Sequence, residues 1–224
     1  MPKLIKDMTR SEENYIKTIF HLGNKGTEEV STNAIAEEME TKPSSVTDMV
    51  KKLSEKELLN YKKYQGVSLT DFGTKTALGI IRKHRLWEVF LVEKLDFSWD
   101  EVHEVAEQLE HIKSDKLIDK LDTLLNYPKY DPHGDPIPDK NGAFKHGDRK
   151  LLSEVPVESK GICVGVKDSS TAFLKFLDKN RIALGDEITI LEKEEFDSSF
   201  YIKIGDRREH ISNQIASNLY IKIT

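Results

Sequence analysis

Six side chains able to ligate a metal crowd between positions 84 and 111. His84 and Glu88 are four residues apart, so on one helix they share a face. At 100° per residue, His103, Glu107, Glu110 and His111 fall at about 0°, 40°, −20° and 80° around a helix axis, one narrow arc. Val102, Val105, Ala106, Leu109 and Ile112 form the adjoining apolar arc. Imidazoles and carboxylates bordering a core are costly if buried without partners. Two neighbouring helices that both offer such groups resolve that cost by holding a divalent cation. For any one of these residues, a solvated face is the simpler reading; six together favour the metal.

Catalytic use of such a metal is less well supported. His103-Glu104-Val105-Ala106-Glu107 approaches a zinc-protease motif but lacks the second histidine. The Glu-x-x-His pairs of a carboxylate-bridged di-iron bundle are missing from the sequence. So are a Gly-rich phosphate loop, a nucleophile elbow and a triad arrangement, and these omissions argue against an enzyme.

The elements that must position these groups begin upstream. Thr9 and Glu12 form a capping box that starts a helix, with Tyr15, Ile16, Ile19 and Phe20 inward and Gly23 and Gly26 at its end. A second helix follows Ser31. Pro43 opens a third at a position where its missing N–H does no harm, and Val46, Met49, Val50 and Leu53 give it one apolar side. Two short strands joined near Gln65-Gly66 come next. Helix, turn, helix and hairpin are the order of a winged helix-turn-helix, whose second helix enters the major groove of double-stranded DNA.

On that recognition helix Ser44, Ser45 and Thr47 stand in the first turns, placed to donate to phosphates or base edges. Lys51 and Lys52, with Lys62 and Lys63 on the wing, would supply phosphate contacts. Asp48 must face a base amine or point away. The net charge is −5, yet residues 42–64 hold six lysines against Asp48, Glu55 and Glu57, while residues 94–122 are strongly acidic. The plainer reading is a winged helix used for protein contacts, its lysines merely solvated; their concentration on helix and wing favours DNA.

A long helix should run from about Thr70 to Lys94, a further one from Ser98 to about Lys113 under a Ser98/Glu101 capping box, and another from Ser114 with Leu117, Leu121, Leu124 and Leu125 inward. Residues 128–148 are rich in proline and glycine and read as a linker. Beyond them short β patterns at Ile162–Val166, Glu187–Leu191, Phe200–Ile204 and Leu219–Ile223, with one helix near 170–179, suggest a small β-barrel. The fold class is mainly α with a β C-terminal domain: residues 1–74 winged helix, 75–127 helical metal-binding and dimerisation domain, 128–154 linker, 155–224 β domain. Cys163 is the only cysteine and reads as core filler; with no apolar run of membrane-spanning length and no signal peptide at the start, a cytoplasmic location is expected.

These parts in this order resemble the diphtheria toxin repressor and manganese transport regulator family of metal-dependent repressors. The resemblance is carried by Lys42-Pro43-Ser44-Ser45-Val46-Thr47, Lys83-His84-Arg85-Leu86, Val102-His103-Glu104, Glu110-His111-Ile112-Lys113-Ser114-Asp115 and Pro132-His133-Gly134-Asp135-Pro136-Ile137-Pro138. It implies a winged helix, a helical dimerisation domain and an SH3-like C-terminal domain. It also implies an ancillary site at His84, Glu88 and His103, to which Asp168 of the β domain is the choice for a further ligand, and a primary site at Asn14, Glu107, Glu110 and His111.

Two positions depart from relatives. Asn14 stands where they have Asp or Met, and Lys17 where short manganese-type members have a ligating Glu, which speaks against a dinuclear arrangement there. Glu107 stands where iron-type members have Cys, which favours Mn(II), with Fe(II) next and Zn(II) binding possible in vitro. The implied function is a homodimeric repressor of metal uptake whose metal fixes two recognition helices at the spacing of a palindromic operator. A metal-independent winged-helix regulator and a metal-dependent enzyme with an accessory winged helix are the alternatives.

Overall fold

The computed structural model describes residues 8–62, 66–144 and 148–224. It divides into two compact units. The first comprises residues up to Trp87 together with Glu107–Thr123 and Pro138–Phe144; the second comprises Glu88–Ala106, Leu124–Ile137 and the chain from residue 145 onward. The expected wing turn, with Lys63 and Gln65, lies outside the described residues.

In the first unit, α1 (Arg10–Leu22) begins with a full capping box. The Glu12 N–H donates to Thr9 Oγ1 (3.2 Å) and the Thr9 N–H donates to Glu12 Oε2 (2.8 Å). α2 (Thr32–Glu38) is capped by Ser31, and α3 (Pro43–Glu55) opens on Pro43. β1 (Leu59–Lys62) and β2 (Gly66–Leu69) pair antiparallel, Leu59 opposite Leu69, and Val30 adds a bridge to Val67. Ile16, Ile19, Ile35, Val46, Val50, Leu53 and Val67 are buried together, so the helix-turn-helix and its hairpin share one core. α4 (Asp71–Leu95) starts against this core. At Gly73 a Cβ would come within 2.0 Å of the Leu58 carbonyl oxygen, so only glycine lets the helix sit that close to the hairpin.

The expected helix from Ser98 to Lys113 is shorter. α5 spans Val102–Leu109, and Glu110 and His111 lie in the turn after it. Ser98 and Glu101 do hydrogen-bond, through the Ser98 N–H and hydroxyl, but they close a turn ahead of the helix. The early end has a cause downstream. Ser114 caps α6 (Asp115–Leu124), its hydroxyl accepting from the Leu117 N–H, so the chain must leave helical geometry before it. Along α6, Leu117 and Leu124 are exposed, and Ile118, Leu121 and Leu125 are buried. Leu121 and Leu125 are thus inward as expected, while Ile118 takes the inward place given to Leu117 and Leu124 faces out.

The second unit holds a six-stranded antiparallel sheet in the order β3-β8-β4-β5-β6-β7. Its strands are β3 (Lys150–Leu151), β4 (Lys160–Val166), β5 (Glu187–Lys193), β6 (Phe200–Ile204), β7 (Arg207–Ile211) and β8 (Leu219–Ile223). Helices α7 (Thr171–Lys179) and α8 (Asn213–Ala216) complete it. Leu152, Leu174, Leu177, Phe200, Ile202 and Leu219 are among its buried core, together with Cys163, whose thiol burial pushes up to about 12.

Residues 128–137 are not a free spacer. Asp131 Oδ1 accepts from the N–H groups of His133 and Asp135, both at 2.9 Å, and Gly134 has φ +84°. The Val166 N–H donates to the His133 carbonyl (2.8 Å), and Arg149 donates to the Gly134 carbonyl. A Cβ on Gly134 would meet the Val164 carbonyl oxygen at 2.1 Å, so this loop is fitted against β4. Among the described residues, no helix is long and apolar enough to cross a membrane.

Candidate metal centre and nucleic-acid interface

Within the first unit, one turn of α1, the middle of α4 and the end of α5 bring together Glu13, Asn14, Lys17, His84, Glu107, Glu110 and His111. Ligand atoms of His84, Glu107 and Glu110 lie within 4.8 Å of one another. Glu110 is fully buried. It accepts from His84 Nδ1–H at 2.7 Å, and the Lys17 ammonium reaches both its oxygens at 2.8 and 2.9 Å while also contacting Glu107. Burial pushes the Glu110 carboxyl up, the His84 hydrogen bond and the Lys17 charge pull it down, and the balance lies below the ordinary value.

His111 Nδ1–H donates to Glu13 Oε2 at 2.5 Å. A carboxylate only accepts, so the neutral ring keeps its lone pair on Nε2. That atom is 4.0 Å from Glu110 Oε1. Two acceptors thus face each other, and Glu13 fixes the tautomer and the ring orientation. Asn14 Oδ1 is buried without a hydrogen-bond partner. An orphaned amide oxygen, an outward imidazole lone pair and two carboxylates held by an ammonium form a place that demands positive charge. Oxygen and nitrogen donors suit a hard or intermediate divalent cation.

The second unit has its own group. Ligand atoms of Glu88, Asp131 and His133, all buried, lie within 4.8 Å of one another. His133 Nε2–H donates to the Trp99 carbonyl at 2.7 Å, which leaves the Nδ1 lone pair 3.8 Å from Glu88 Oε1. His103 Nδ1 is 3.5 Å from the same oxygen, with its ring largely exposed. The His133 contact again sets acceptor against acceptor beside an acidic oxygen, a place where a cation could bind.

Several placements add to the sequence expectation or differ from it. His84, assigned by resemblance to an ancillary site with Glu88 and His103, also hydrogen-bonds Glu110 of the expected primary set. Asp168 is exposed, its Oδ1 accepting from the Ser170 N–H at 2.8 Å, and it belongs to none of the converging acidic groups among the described residues. Three residues were missed. Glu13 carries one sequence signal, its place four residues before Lys17 on the same face. Asp131 and His133 sit in the Pro/Gly-rich stretch 128–148, where the absence of periodicity hid them.

On the candidate nucleic-acid face, Ser44, Ser45, Lys51 and Lys62 are exposed. The Thr47 hydroxyl donates to the Pro43 carbonyl at 2.9 Å. Lys52, expected to meet phosphate, has its ammonium 3.1 Å from Glu12 Oε1, and Lys56 Nζ donates to the same oxygen at 2.6 Å. Glu12 is fully buried. Burial alone would raise its carboxyl; Lys56, the Thr9 N–H and Lys52 outweigh it and hold the group at about 2.

Residues 7–67 match the family described as "Iron dependent repressor, N-terminal DNA binding domain". Residues 70–139 match "Iron dependent repressor, metal binding and dimerisation domain", and residues 150–223 match a FeoA domain. The chain is 37% identical over 144 residues to the HTH-type transcriptional regulator MntR of Oceanobacillus iheyensis, a match covering 64% of this chain and 95% of that one. It is 33% identical over 134 residues to the iron-dependent repressor IdeR of Mycobacterium leprae, covering 60% of this chain. The chain spans 58% of that relative's length and 16% of another to which 71 of its residues are 49% identical. Among solved structures, a manganese-dependent transcriptional repressor in complex with manganese superposes with a TM-score of 0.82 at 30% identity, over 95% of this chain and 100% of that one.

Proposed function

This chain belongs to the iron-dependent repressor family, one of transcriptional repressors and not of enzymes, and from that premise we propose that it is a Mn(II)-responsive repressor that binds a palindromic operator as a homodimer. The observation that carries the reading is the placing of Glu13 and Asn14. Both stand on α1 of the DNA-binding unit, yet one holds His111 and the other aims an unpartnered oxygen into the cluster.

Asn14, Glu107, Glu110 and His111 would hold the ion, with His84 and Glu13 orienting them. The ion supplies positive charge and no reaction. Everything else is done by the chain. The α1 helix is tied to the turn after α5, α3 packs on α1 through the shared core, and Ser44, Ser45 and Thr47 meet the groove while Lys51, Lys62 and Lys63 meet phosphate. Glu88, Asp131 and His133, with His103, offer a second cation position. A carboxylate at 107 in place of a thiolate supports Mn(II), with Fe(II) next. A cytoplasmic repressor of metal uptake is the role that fits.

Titrating Mn(II), Fe(II) and Zn(II) against a labelled duplex, selected by the protein from a randomised pool, tests this. Binding should rise with metal and collapse on chelation, with Mn(II) and Fe(II) effective at the lowest free concentration. Duplex affinity unchanged by chelator would overturn the metal reading.

A further inference from the structure

Glu12 touches no group of either acidic cluster, yet it is buried as deeply as any residue in them. Its Oε2 closes the capping box at the start of α1, and its Oε1 takes both Lys56, just past the end of α3, and Lys52, on its last turn. The next two residues turn the other way. Glu13 holds His111, and Asn14 places its free oxygen in the cluster. One turn of α1 is therefore fastened on one side to the candidate centre and on the other to the recognition helix. The hydrophobic contacts between α1 and α3 are non-directional and tolerate a slide. A carboxylate shared by two ammonium groups fixes where the end of α3 lies relative to the start of α1.

We propose that Glu12 is a positioning residue that carries the state of the metal cluster to the recognition helix. This rests on the metal-dependent DNA binding argued above. It also gives Lys52 and Lys56 a task other than contacting phosphate.

The test is a ratio. Duplex affinity is measured with chelator and with saturating Mn(II), using the full chain and the selected duplex, and the quotient is the coupling. Glu12→Gln keeps an acceptor for the Thr9 N–H, since glutamine also serves in capping boxes, but loses both ion pairs. It should reduce the coupling at least about fivefold, while Mn(II) affinity measured calorimetrically without DNA stays within about twofold of wild type. Lys56→Met, at a half-exposed site that spares the cap, should reduce the coupling in the same way, and the double variant should do no worse than Glu12→Gln alone.

A purely structural role would lower duplex affinity equally with and without metal. If Glu12→Gln, or Lys56→Met should the first variant melt below the assay temperature, keeps the wild-type ratio, the proposal is overturned. A wild-type ratio of one would instead bring down the metal-dependent reading itself.

Discussion

The two acidic clusters solve one problem with different materials. In the first unit the His111 tautomer is fixed by a carboxylate, Glu13, and the buried Glu110 is neutralised by an ammonium, Lys17. In the second unit the His133 tautomer is fixed by a backbone carbonyl, that of Trp99, and Asp131 spends an oxygen on the N–H groups of its own turn. A carboxylate partner makes the opposite ring nitrogen a stronger base than a carbonyl does. A resident ammonium must give way before a metal can use the carboxylates. On the function proposed above, the first cluster would bind a cation tightly but against a competing ammonium, the second more weakly on a loop held in shape.

The sharpest way to break the contrast is Glu110→Gln. It keeps the volume but removes the charge shared by Lys17 and His84, and Mn(II) affinity by calorimetry should fall at least about 100-fold. A small loss would mean that the second cluster dominates. Glu13→Gln should cost roughly 10- to 100-fold through the orientation of His111, with circular dichroism unchanged. Lys17→Met should act in the opposite direction. It removes the competing cation, so Mn(II) should bind roughly tenfold more tightly while the metal-free protein melts at a lower temperature, its buried carboxylates having lost their partner. His133→Ala should weaken activation only several-fold, about the scale of one hydrogen-bonded ligand at a secondary position.

The smallest effect concerns acid. Glu12 is also a buried carboxylate neutralised by lysine, and its folded value of about 2 lies below the ordinary 4.5. A depressed carboxyl contributes stability that is complete above the ordinary value and is lost as pH falls through the folded one. Wild type should therefore be more stable than Glu12→Gln at neutral pH, with the gap in urea midpoint closing between about pH 4.5 and 2. A gap independent of pH would remove the ion pairs as its cause.

What the sequence disclosed follows the same division. The convergence of Glu107, Glu110 and His111 was legible because helical spacing sorts a polar arc from the core, even though the helix ends at Leu109 and only the first of the three remains on it. The winged helix was legible from Pro43, the Thr9–Glu12 box and the one-sided α3. Asp131 and His133 were not, because a loop has no period. Their convergence on Glu88 depends on Asp131 bonding within its own turn and on Gly134 lying against β4, and both are tertiary facts. Lys52 has the exposure that a helical wheel predicts, but its ion pair with Glu12 is a tertiary contact that a wheel cannot show.

Cys163 has a practical consequence. As the sole thiol of the chain, buried and pushed up to about 12, it stays protonated at pH 7. Maleimide and other thiol-seeking labels will find almost nothing to attack in the folded protein. A cysteine introduced at exposed Ser44 or Lys62 would then carry a fluorophore or spin label alone, without any native residue having to be removed first. The motion of the reading head could be followed in an otherwise chemically silent molecule.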